Sequence, residues 1–190
     1  MNKISQQQSS AGGDIVGGDK VTTTYNSAPK SKIEKLLVKL KEQYDGDHET
    51  QSIIDELARY HSRRAADGVF GLEAKLEAAG KGDSFEDAIE KKEMFAKLLQ
   101  KWTMYSSAQL IFAHILAKAE VEFTQVIYPQ IPEKSEADIN ALIMDRIVSP
   151  IVEECGDDLL AVNHNLVQGM VYWLAEQCFI RWHYSSQVVQ

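Results

Sequence analysis

From Ser31 onward, apolar side chains recur at steps of three and four residues, the spacing that lines one face of an α-helix. Ile33, Leu36, Leu37, Leu40 and Tyr44 form the first such stripe. Ser31 with Glu34 makes a capping-box pattern at its start, each side chain placed to satisfy the other's backbone amide. Asp45-Gly46-Asp47 breaks it. A second helix is expected from near His48, with Ile53, Ile54, Leu57 and Tyr60 inward, ending at Asp67-Gly68. Val69 to Ala79 reads as a short Ala-rich helix stopped by Gly80, and Ser84 with Asp87 resembles another N-cap. Helical spacing then persists from Phe85 to Tyr128, longer than the usual run of roughly 8–20 residues, so a bend or split is expected at Ser106-Ser107.

Pro129 and Pro132 close that run, because proline supplies no amide to continue a helix. Ser135 opens a further helix through Ile139, Leu142, Ile143 and Ile147. Pro150 should kink it, and Gly156 suits the left-handed position beyond a helix end. Asn163 is placed to cap the last helix, expected to run to Trp182. That segment is apolar nearly all round, so it is either the central helix of a bundle or also meets a partner. The fold class that follows is mostly α: one helical-bundle domain over residues 30–190, behind a polar leader of residues 1–29.

The leader contains one phrase said twice, "GGDIVGGDKV". Gly-Gly supplies the positive φ angles of a two-residue hairpin turn. A small β-type hairpin is therefore expected, turning at Gly17-Gly18. A lone hairpin is marginal in water and gains stability by pairing edge to edge with copies from other chains. Gly13, Asp14, Ile15, Val16, Gly17, Gly18, Val21 and Tyr25 are the expected oligomer interface of a homo-oligomer.

Composition alters this picture little. Apolar residues are 44% and charged residues 25% of 190, a globular balance. The formal charge of −8 gives no general attraction to nucleic acid or anionic membrane. Cys155 and Cys178 are expected as core thiols in a reducing compartment. No stretch approaches the ~18 apolar residues of a membrane span, and the first residues lack the apolar middle of a signal peptide, so a cytoplasmic protein is expected.

Candidate chemistry is sparse. The five histidines show no H-E-x-x-H pattern, and no C-x-x-C exists. Cys178 and His183, five residues apart on the expected helix, would face about 140° from each other. Arg59, His61, Arg63 and Arg64 form a basic knot at a helix end, favoured there by the helix dipole. The three arginines are also the candidate partner or nucleic-acid contact. The lysines from 30 to 41 read as a solvated face, and the glycines near Asp14 and Asp19 lack the order of a phosphate loop. No metal, cofactor or catalytic residue is expected. Two alternatives are a small metal-dependent nuclease or hydrolase using scattered carboxylates with His164, and a nucleic-acid-binding regulator using the arginines.

The segments "AGGDIVGGDKV", "GLEAKLEAAG", "EKKEMFAKLLQKW" and "YWLAEQCFIRWH", spread from Ala11 to His183, resemble the C-terminal-domain proteins of bacterial ABC three-component conflict systems. That resemblance implies partnership with an ABC ATPase of the chromosome-maintenance type and a small middle component, in antiviral or anti-plasmid defence. In that family such a domain usually follows a toxic effector. Here only about thirty residues precede the helical body, which leaves no room for one and favours a non-enzymatic oligomerising adaptor or sensor.

Overall fold

The computed structural model describes residues 30–62, 64, 68–156 and 159–184. Helix α1 (Lys32–Asp45) starts on the expected capping box and buries Ile33, Leu37 and Leu40. Its charged face is exposed, as the lysine spacing suggested. Helix α2 covers only Asp55–His61, well short of the start expected at His48. The reason is non-local. Gln109, fully buried, accepts the Ile54 amide at 2.8 Å and donates to the carbonyls of Ser52 at 2.9 Å and Thr103 at 2.7 Å. Backbone groups that would have entered a helix are spoken for.

Helix α3 (Gly71–Ala78) begins at Gly71 with φ 83°. A 3-10 turn over Gly82–Ser84 leads into α4 (Phe85–Trp102), and the Ser84 side chain makes no cap, contrary to expectation. The chain breaks at residues 103–105 and resumes as α5 (Ser106–Val121), so the split falls where the serine pair predicts it. Gln43 closes the new start, accepting from the Ser107 amide at 3.1 Å and donating to Ser106 Oγ at 2.8 Å.

Beyond α5 the helix widens into a π segment, Glu122–Ile127, then a 3-10 turn, Tyr128–Gln130, at the prolines. Ser135 caps α6 (Glu136–Ile143) in a reciprocal box with Asp138. A second π segment, Met144–Val148, precedes α7 (Ser149–Cys155), with Pro150 in the first turn of α7. The irregularity expected at Pro150 is thus taken up one turn earlier, where a wide turn accommodates a residue that has no amide. Gly156 has positive φ at 62°, though with an extended ψ of −172° rather than the left-handed helical value.

Asn163 caps α8 (His164–Glu176), its side chain accepting from the Leu166 amide at 3.1 Å. Helix α8 packs against α3, α4, α5 and α7, most extensively α4, and is the central helix. It ends six residues earlier than the apolar run predicts. Cys178 takes φ 63°, and Phe179, Ile180 and Trp182 follow as irregular but buried chain. Phe179 lies 4.7 Å from the Tyr60 ring and Trp182 meets Phe123 edge-on at 5.7 Å. The apolar character of this tail reports burial, not helix. Among the described residues the architecture is helical without strands.

Candidate functional site

The expected oligomer interface, residues 13–25, lies outside the described residues, as does Arg63. Arg59 and Arg64 are described, and both turn inward upon one carboxylate. Glu120, 8% exposed on α5, takes Arg59 Nη2 at 2.9 Å and Arg64 Nη1 at 3.1 Å on Oε1. Its Oε2 accepts the Tyr60 hydroxyl at 2.9 Å, and Arg59 Nη1 donates to that same hydroxyl at 2.9 Å. Both guanidinium groups also lie over the Phe179 ring, at 5.4 and 4.5 Å. The phenol of Tyr60 is pushed up to about 12, by burial first and then by the Glu120 carboxylate that accepts its proton. The basic knot therefore joins α2, α5 and the tail after α8. Glu120 was not singled out from the sequence. The signal was present: it falls four residues after Leu116, on the buried stripe of a helix otherwise lined with apolar residues.

A second polar junction ties α5 to α7. Glu154 accepts Lys118 Nζ at 2.7 Å on one oxygen and pairs with His114 Nε2 at 3.1 Å on the other. Burial acts to raise the Glu154 carboxyl, but Lys118 and His114 outweigh it and hold it below the usual range. Lys75, 1% exposed, donates to the Ala175 carbonyl near the end of α8, while the Glu176 carboxylate accepts the Leu72 amide at 2.7 Å. Each helix of this α3–α8 pair closes an end of the other.

The cysteines and histidines are dispersed: Cys155 and His183 are buried, Cys178, expected in the core, and His114 are half-buried, and His48 and His61 are exposed. Burial chiefly pushes the Cys155 thiol up to about 11, which leaves it unreactive. Cys178 and His183 do not share a helix, so the angular separation assigned to them does not apply. His61 meets Trp173 edge-on at 5.9 Å, and His164 is exposed at the start of α8. Among the described residues no three His, Cys, Asp or Glu side chains gather as metal ligands. No helix among them is long and apolar enough to cross a membrane.

One concave feature of the body is a cleft of about 220 Å³ between α3, α4, α6 and α8; a larger hollow of about 480 Å³ lies beside Glu34 and Leu37 of α1 and Glu154 of α7. Leu76, Ile143 and Val171 give the cleft an apolar wall, and Lys81, Lys91 and Gln168 bring polar groups to it. Lys81 Nζ bridges to Glu136 at 2.7 Å and Asn140 at 3.3 Å. On the far side of that bridge lies a smaller recess of about 150 Å³ beside Ile131, Lys134 and Trp182. Tyr172, on the cleft wall, has its phenol raised by burial and then by Asp87 and Glu136. Drug-sized ligand pockets usually run about 300–1,000 Å³. This cleft is smaller than that, and Lys81 and Gln168 are among its polar lining residues.

Comparison with curated proteins gave no match, and neither did comparison with solved structures. The sequence of the body does match a known family. Residues 71–182, which include every residue lining the cleft and more than half of the chain, match C-terminal domain 9 of the ABC-three component (ABC-3C) systems, and the chain belongs to that family.

Proposed function

We propose that this chain is a non-enzymatic adaptor of an ABC three-component defence assembly, self-associating through residues 12–25 and docking other components through the helical body. The observation that carries the docking role is the placement of the cleft: its whole lining falls within the family-matched segment. The polar clusters of the body support a scaffold. Glu120 and Glu154 fasten helices together, and Lys75 and Glu176 close helix ends. Paired copies raise the effective concentration of whatever the bodies hold, which increases avidity without any new contact.

The self-association is tested by deleting residues 1–28 and measuring mass by light scattering; the expected result is a fall to monomer, and an unchanged mass removes the leader from assembly. Docking is tested by co-purification with the other components of the system. Gln168→Trp fills the cleft and is expected to reduce retention at least tenfold with the circular dichroism spectrum preserved. Retention equal to wild type rules out the cleft. Turnover of nucleic acid by the purified chain with Mg²⁺ or Mn²⁺ overturns the non-enzymatic assignment.

A further inference from the structure

At the end of the bundle where α1 runs out and α4 turns into α5, three rings form a closed triangle. Tyr44 lies 5.4 Å from Trp102 and 5.9 Å from Tyr105, which are themselves 5.8 Å apart. Trp102 and Tyr105 are buried, but Tyr44 is 47% exposed although it continues the inward stripe of α1. Met104 and Ile53, at 42% and 49%, are exposed at the same end. These side chains do not stand on a loose loop. The Thr50 amide donates to the Met104 carbonyl at 2.7 Å, and buried Gln109 holds Ser52, Ile54 and Thr103 together. Apolar groups on a backbone fixed in advance lose little further freedom on binding.

Negative charge predominates along the segment from Tyr44 to Ala58. Asp45, Asp47, Glu49, Asp55 and Glu56 all fall between Tyr44 and Ala58, are all exposed, and have no Lys or Arg among them. Asp47 and Glu49 are near enough to Tyr105 to help burial raise its phenol. Lys101 lies on the flank, 4.8 Å over the Trp102 ring. An exposed apolar centre with a charged rim is the anatomy of a protein interface. An acidic rim repels phosphate-bearing surfaces.

We infer that this face docks a basic segment of a partner protein, an apolar anchor seating on Tyr44 and Met104 while Lys or Arg side chains meet Asp45 and Glu49. It builds on the adaptor role proposed above and gives the chemistry of one partner. Tyr44 and the acidic residues precede the family-matched segment while Trp102, Met104 and Tyr105 fall within it, and none of them lines the cleft, so the two surfaces are distinct.

The full-length chain is titrated with a synthetic helical peptide of Lys and Leu, and with its Glu-Leu counterpart, while amide shifts are followed by NMR. The Lys-Leu peptide is expected to move residues 44–56 and 102–105, the Glu-Leu peptide is not, and binding should weaken steeply with added salt. The Asp45→Lys/Glu49→Lys double variant, changed only at exposed positions, should bind at least tenfold more weakly. Met104→Ser, also exposed, should weaken binding with its salt dependence intact. Shifts confined to another face, or equal binding by the double variant, overturn the inference. Co-purification of the same double variant with the other system components separates the two proposals. Loss there supports this face as a native dock, and full retention overturns it while leaving the adaptor role standing. If wild type retains no component, the adaptor role fails and the peptide titration alone decides for or against the face.

Discussion

Gly169 on α8 and Lys91 on α4 meet backbone to backbone. A Cβ built on Gly169 would overlap the Lys91 carbonyl, lying 2.6 Å from its carbon, a separation real Cβ atoms essentially never show. A mid-helix glycine is here a packing requirement, since it lets the central pair of helices approach more closely than any other residue would allow.

Gly169→Ala should therefore cost stability in spite of alanine's better helix propensity, which favours the variant by about 1 kcal/mol. Overpacking of a close contact typically costs about 1–3 kcal/mol. Against rigid backbone atoms the upper part of that range is expected, giving a net loss. Urea unfolding checks it: a lower midpoint at unchanged slope is expected, and a raised midpoint would mean the crossing yields freely.

Tyr60 and Glu120 predict an alkaline effect of definite sign. The Tyr60 phenol titrates near 10 when unfolded and about 12 when folded, so the fold favours its protonated form. The associated stability is whole below pH 10 and is lost as pH rises through about 12. The difference in thermal midpoint between wild type and Tyr60→Phe should narrow across that window. A constant gap would disconnect the hydroxyl from the fold. Glu120→Ala should cost about 1–3 kcal/mol through the stranded Tyr60 donor. The two arginines, half-exposed, recover water and add little.

Gln109→Ala removes the partner of part-buried backbone groups at Ser52, Ile54 and Thr103. A loss of about 1–3 kcal/mol is expected, together with faster hydrogen exchange at the Ile54 amide. Wild-type protection at Ile54 would show that the loop is held by other means.

Glu154 sets an acid limit. Its carboxyl is held below 4.5 in the folded state, against the opposing effect of burial, by Lys118 and His114. Its contribution is present above the unfolded value and disappears as pH falls through the lower, folded one. Wild type should lose midpoint more steeply than Glu154→Gln below pH 4.5. Parallel curves would deny the α5–α7 junction any role in acid stability.

What the sequence made legible was local. The caps at Ser31, Ser135 and Asn163 and the break at Ser106-Ser107 follow from side chains acting on backbone within a turn or so, which a linear reading can see. The start of α2 was misplaced because Gln109, over fifty residues away, competes for its backbone. The end of α8 was misplaced because an apolar run looks alike whether it buries as helix or as the turn at Cys178. The π segments leave no compositional mark. At the candidate site, Arg59 and Arg64 were visible as a basic knot, but their acceptor was not, since pairing with Glu120 depends on tertiary packing. The cleft, assembled from four helices, was likewise beyond any local pattern.

The mutual closure of α3 and α8 has a consequence for biosynthesis. Leu72 and Glu176 are separated by 104 positions, and neither helix end is satisfied until both have been made. On a ribosome delivering the chain from its amino end, α3 must wait, unfinished, for nearly the entire matched segment to emerge. A nascent product truncated before Ala175 would lack both hydrogen bonds of this seam.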